Sequence, residues 1–136
     1  MKRYFLDANI LIDFLACRLP FAHHAQQIFE AAEQGRIKVF VSSHSIASVY
    51  YVLRKYSEEK PLRMAILALM ENSSVIALND EMIVRSLRSG WKDVEDAMQL
   101  ECAYSIRNLD GIVTRNIKDF KGSKIPLLGP ERVLAF

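Results

Sequence analysis

The sequence predicts an α/β fold, a mainly parallel sheet covered by helices on both faces. Three observations predict it. Short runs of β-forming residues alternate with longer helical segments, and such alternation packs as parallel strands with helical crossovers. The punctuation is that of helix ends: Pro, Ser, Asn or Asp ahead of apolar stretches, and Gly behind them. A length of 136 residues with 51% apolar content suits a single domain over residues 1–136, able to bury about two-thirds of its unfolded surface.

The elements follow in order. Arg3 to Leu6 is rich in β-formers and reads as a buried strand ending at Asp7-Ala8-Asn9. Ile10 to Leu15 reads as a helix without breakers. Pro20 opens a helix from Phe21 to Gln34, which Gly35 stops. Ile37 to Val41 is the second strand. Ser42 to Ser45 offers N-caps for a helix to Tyr56, and Pro61 starts another through Met70. Val75 to Leu78 is the third strand, and Asn79-Asp80 caps a helix ending at Gly90. Asp93 opens a helix to Arg107, with Ala97, Leu100, Ala103 and Tyr104 as its apolar stripe. Gly111 to Thr114 is the fourth strand. Lys118 to Lys124 is a polar loop. Ile125 to Leu128 is a short last strand, and a helical turn follows Pro130.

Composition narrows the function classes. The net charge of +2 does not by itself mark a nucleic-acid binder, because phosphate affinity comes from clustered Lys and Arg. Cys17 and Cys102 lie far apart and form no C-x-x-C, which argues against zinc and dithiol redox chemistry. They read as small core or helix-face residues of a reducing compartment. Met1 to Asp7 does not read as a signal peptide, since its apolar run stops at Asp7. No stretch approaches the roughly 18 uncharged apolar residues of a membrane helix. The expectation is a cytoplasmic protein with no membrane partner.

In open parallel sheets ligands bind beyond the carboxyl ends of the strands. Asp7 falls there after the first strand, with Asn9 and Asp13 close behind. Thr114, Arg115, Asn116 and then Asp119 follow the fourth. Asp93, Glu95 and Asp96 stand at the mouth of the helix before it. Singly, each has a structural explanation: Asp7 and Asn9 as caps, the acids at 93, 95 and 96 as first-turn residues in the helix dipole, Asn116 and Asp119 as turn residues. Brought together, such carboxylates repel one another and call for a hard divalent cation, Mg²⁺ or Mn²⁺. A cation held this way supports phosphodiester hydrolysis.

These residues resemble a known family. Phe5-Leu6-Asp7-Ala8-Asn9-Ile10-Leu11-Ile12-Asp13 resembles the opening motif of PIN domains. Val94-Glu95-Asp96-Ala97-Met98-Gln99, preceded by Gly90-Trp91-Lys92-Asp93, resembles the third acidic motif. Ile112-Val113-Thr114-Arg115-Asn116-Ile117-Lys118-Asp119-Phe120 resembles the last. The resemblance implies a three-layer α/β/α fold and a Mg²⁺- or Mn²⁺-dependent endoribonuclease. It further implies the toxin of a VapC-type toxin–antitoxin pair, a homodimer whose partners are RNA and a cognate antitoxin. By position, Asp7, Asp96 and Asp119 are the implied metal and catalytic acids and Asn116 a further catalytic group, with Asn9, Ser48, Glu95 and Thr114 in support.

Two positions depart from the family pattern. Ser48 stands where the helix after the second strand usually carries an acid, and Asn116 where the last motif often has one. Each removes a negative charge. This motivates an alternative: a catalytically weakened PIN-like module that binds RNA or a protein partner without cleaving. A phospho-receiver domain fits poorly, since Asn79-Asp80 follows the third strand and Lys124 precedes its strand.

Of the basic groups, Arg115, Lys118 and Lys121 flank the proposed pocket and are the expected RNA-backbone contacts. Trp91 is a candidate for base stacking. Tyr50 and Tyr51 are candidates for base stacking too, but in their apolar helix they read first as core packing or a dimer contact, and the helices around Tyr50 and Met64 to Met70 read as a dimer face. His23 and His24 read as a solvated helix face, and His44 as an N-cap-region residue near Ser48.

Overall fold

The computed structural model describes residues 1–134. Five strands form one sheet: β1 (Lys2–Leu6), β2 (Ile37–Ser42), β3 (Ser74–Ile76), β4 (Gly111–Val113) and β5 (Leu127–Leu128). Their order is β3-β2-β1-β4-β5 and every pairing is parallel. Helices α1 (Ala8–Leu15) and α2 (Ala22–Glu33) connect β1 to β2, and α3 (Ser43–Leu53) and α4 (Glu59–Glu71) connect β2 to β3. Helices α5 (Asp80–Arg88) and α6 (Val94–Tyr104) lead to β4.

Strand periodicity explains the three layers. Successive side chains point to opposite faces. Tyr4 and Leu6 of β1 join the core beneath α1 to α4, with Val39 and Val41 of β2. Phe5 and Phe40, paired in register, enter the second core with Leu100, Ala103, Ile112 and Phe120. The three-layer α/β/α expectation therefore holds. Among the described residues no helix is long and apolar enough to cross a membrane.

Several boundaries differ from those expected. Pro20 precedes α2, which begins at Ala22 with Phe21 as an N-cap that makes no side-chain bond. Helix α4 starts at Glu59, so Pro61 lies in its first turn, where its missing N–H has no intrahelical partner to lose. β3 ends at Ile76; Leu78 instead donates its N–H to the Ser43 hydroxyl at 3.0 Å. α3 stops at Leu53, three residues short of Tyr56, and α6 at Tyr104, three short of Arg107. The buried face of α6 includes Gln99 and Cys102, whereas Tyr104 is exposed. The loop after Asn116 opens with a 3₁₀ turn, Ile117–Phe120, because Phe120 is a core residue at 1% exposure. The last helical turn is likewise 3₁₀, at Pro130–Arg132.

Two glycines shape their surroundings. Gly35 takes φ +74° behind α2, a conformation side chains resist. A Cβ at Gly111 would lie 2.8 Å from Leu128 Cδ1, so a side chain there would displace that leucine from its packing between β4 and β5.

Candidate active site

The strand order reverses between β1 and β4, and the carboxyl ends of these strands open a crevice, the usual ligand position in such sheets. Asp7 stands at that point. Its N–H still bonds the Val113 carbonyl at 2.9 Å. One carboxylate oxygen accepts from the Ala8 N–H at 2.7 Å, capping α1. The other accepts from Thr114 Oγ1 at 2.8 Å. Both the cap and the pocket role foreseen for Asp7 thus fall on one side chain.

Asp96 arrives from the first turn of α6, where Asp93 is the N-cap and accepts from the Asp96 N–H at 3.1 Å. Asp119 sits in the 3₁₀ turn, its N–H bonded to the Asn116 carbonyl at 2.9 Å. Asp7, Asp96 and Asp119 line one cavity of about 210 Å³, with Asn9, Ser48 and Asn116. Glu95 and His44 also border it, their side chains 3.5 Å apart. A second cleft shares Asp96 and Asp119 and adds Trp91, Lys92, Asp93 and Lys118.

The electrostatics follow from this convergence. Burial raises the Asp7 carboxyl above its ordinary value, and the Asp119 charge adds to the rise. Hydrogen bonds from Thr114, the Ala8 N–H and Gln99 oppose it. Asp96 is pushed up to about 7, first by burial and then by the charges of Asp93, Asp7, Asp119 and Glu95. None of these three carboxylates has a salt-bridge partner among the described residues.

The donor set suits a hard cation. Its members are carboxylate, amide and hydroxyl oxygens, and the Asn9 amide oxygen is buried at the cavity wall without any hydrogen-bond donor. Among the described residues no three His, Cys, Asp or Glu side chains stand close enough to enclose an ion as they are. An ion held by all three acids would require their side chains to rotate.

The other expected residues divide. Thr114 is fully buried behind Asp7, donating to it and accepting the Asn116 N–H at 3.0 Å. Lys118 borders the second cleft, and Lys121 is exposed. Arg115 turns away: its guanidinium bonds Asp13 at 2.6 and 3.2 Å and stacks over Phe21 at 3.9 Å. That removes Arg115 from the set free to hold RNA, because a guanidinium bound bidentately to a buried carboxylate is already matched. Asp13 is 1% exposed and also pairs with Arg18, so it stays out of the pocket.

Two residues were not foreseen. Gln99, 6% exposed, accepts from the Ser42 hydroxyl and donates to Ser45 Oγ, both at 2.6 Å. It thereby ties α6 to the end of β2 and to α3. Its only signal in the sequence was its place at the end of the third acidic motif. Ser45 lines the cavity as well.

The chain matches the PIN domain family over residues 3–118. It belongs to the PIN-domain family. No curated protein sequence matches it. Among solved structures, this PIN domain is similar to a chain of a toxin–antitoxin complex from Klebsiella pneumoniae. The identity is 28%, with 93% of this chain and 97% of that chain covered at a TM-score of 0.67. A chain of VapBC2 from Rickettsia felis, bound to a promoter DNA fragment, shares the fold at 18% identity, with 93% and 98% covered and a TM-score of 0.66. VapC20 from Mycobacterium tuberculosis, a sarcin-ricin loop cleaving toxin, does so at 11% identity, with 80% and 86% covered and a TM-score of 0.62.

Proposed function

We propose that this PIN domain is a Mg²⁺- or Mn²⁺-dependent endoribonuclease, the toxin of a toxin–antitoxin pair. In this reading it acts as a homodimer held silent by its cognate antitoxin. The observation that carries the reading is the meeting of Asp7, Asp96 and Asp119 in one cavity without a counter-charge. The likeness to chains of toxin–antitoxin complexes, and to a toxin that cleaves the sarcin-ricin loop, supports the toxin role and RNA as substrate.

Asp7, Asp96 and Asp119 would hold the cation, joined by the Asn9 amide oxygen, with Ser48 and Asn116 offering neutral oxygens. Bound there, the ion supplies Lewis acidity, neutralising charge on the phosphodiester and easing deprotonation of water. The chain does the rest. Thr114 donates to the Asp7 carboxylate and holds it at the cavity wall before substrate arrives. Lys118 and Lys121 hold the RNA backbone without reading sequence. Glu95, exposed at the rim beside His44, supports the acidic centre.

Purified protein freed of any inhibitor tests the reading. It is incubated with single-stranded and structured RNAs in Mg²⁺, Mn²⁺ or chelator, beside Asp7→Asn and Asp96→Asn. Cleavage that disappears in both variants and in chelator is expected. Folded wild-type protein that binds RNA and leaves it intact would contradict the reading. It would establish the weakened binding module that Ser48 and Asn116 suggest.

A further inference from the structure

Helix α3 carries a feature that the acidic motifs do not explain. His44, Ser48, Tyr51 and Lys55 recur at intervals of four, three and four residues, which places them in one narrow stripe along the helix and into the turn beyond it. The stripe starts inside the carboxylate cavity, which His44 and Ser48 line, their polar atoms 3.4 Å apart. It leaves the cavity along an open surface. Tyr51 is 60% exposed, and Lys55 is exposed beyond it. With a rise of about 1.5 Å per residue, Tyr51 lies about 4.5 Å and Lys55 about 10 Å past Ser48 along the axis.

Tyr51 is an unusual residue to leave in water. Tyr50, next to it, is half-buried against α4, as its apolar surroundings suggest. Tyr51 instead points outward, away from the core. The Arg54 guanidinium stacks 3.9 Å from its ring. Neither Arg54 nor Lys55 forms an ion pair among the described residues. An aromatic ring flanked by unpaired cations is the arrangement that binds single-stranded nucleic acid: the ring takes a base face and the cations take phosphates.

We propose that this stripe is the path of single-stranded RNA into the cavity. A base stacks on Tyr51, and the backbone beyond it lies against Arg54 and Lys55. Ser48 and His44 mark where the strand enters the acidic centre. The inference rests on the ribonuclease reading and names how its substrate is held.

The test uses the full chain carrying Asp7→Asn, which silences cleavage, and fluorescein-labelled oligoadenylate followed by anisotropy across a salt series. Stacking tolerates any base, so sequence preference does not limit the probe. Tyr51→Ala is expected to weaken binding about tenfold and Tyr51→Trp to restore it. Lys55→Ala is expected to lower the slope of log affinity against log salt by about one. Unchanged affinity in Tyr51→Ala overturns the inference while leaving the nuclease reading in place. So does a Tyr51→Ala variant that dissociates a dimer and keeps its RNA affinity per chain, which would assign the stripe to contact between copies. Failure of the parent Asp7→Asn chain to bind oligoadenylate at low salt also overturns the inference, while cleavage of structured RNA by the wild-type chain decides the nuclease reading separately.

Discussion

Asp7 and Asp13 lie six residues apart, one capping α1 and the other inside it, yet the fold treats them in opposite ways. Asp13 is sealed between two arginines, Arg18 at 2.9 Å and Arg115 at 2.6 Å, with Arg115 stacked on Phe21. Its charge is balanced within the protein. Asp7 receives only neutral donors and faces two further carboxylates across a cavity. Its charge is left for something outside the protein to balance. The contrast teaches that an acid near a sheet's carboxyl edge becomes a functional candidate when the fold withholds its counter-ion. Proximity to the edge is not enough.

The largest expected effect falls on the balanced member. Asp13→Ala strands Arg115 in a partly buried setting and is expected to cost about 3–5 kcal/mol of stability, read by denaturant unfolding. An Asp13→Ala protein that keeps its stability and loses cleavage would break the comparison. Asp7→Asn comes next. It is expected to preserve the fold and lower RNA cleavage at least a hundredfold, about 2.7 kcal/mol. A retained rate in that variant would leave Asp7 a helix cap and nothing more.

Asp96 sharpens the contrast further, because its charge is a burden to the metal-free protein. Its folded pKa, about 7, exceeds the ordinary 3.8. Between these values the folded chain holds a proton that the unfolded chain has released, so stability falls as pH rises through that window. Above pH 7 the full repulsion is present. Asp96→Asn is therefore expected to stabilise the metal-free protein at pH 8 by about 1 kcal/mol, discounted because the cavity is open to water. Thermal melts in chelator check the sign. The smallest expected effect belongs to Lys118→Ala, a loss of about one from the salt slope of RNA binding.

Much of the fold was legible in the sequence because its signals are local. Strand runs, Ser42, Asn79 and Asp93 as caps, and Gly35 as a stop all act within a few residues of where they stand. Boundaries slipped where a tertiary contact decided them, as when Leu78 N–H met Ser43 in place of a neighbouring strand. The acids of the pocket were legible because each follows a strand or opens a helix. Arg115 was misplaced for the opposite reason. Its position beside Asn116 suggested the pocket, but its partner, Asp13, lies 102 residues away and no local pattern announces it. Gln99 was hidden in the same way, since its bonds to Ser42 and Ser45 exist only once α6, β2 and α3 have packed.

The central claim is that Asp7, Asp96 and Asp119 together await a divalent cation. Calorimetric titration of Mn²⁺ into the chelator-stripped full chain tests it most directly, at pH 6 and pH 8, beside Asp96→Asn. The account predicts Mn²⁺ binding that tightens with pH as Asp96 loses its proton, and that is at least tenfold weaker in Asp96→Asn. Binding of equal strength in the two proteins, independent of pH, would contradict it.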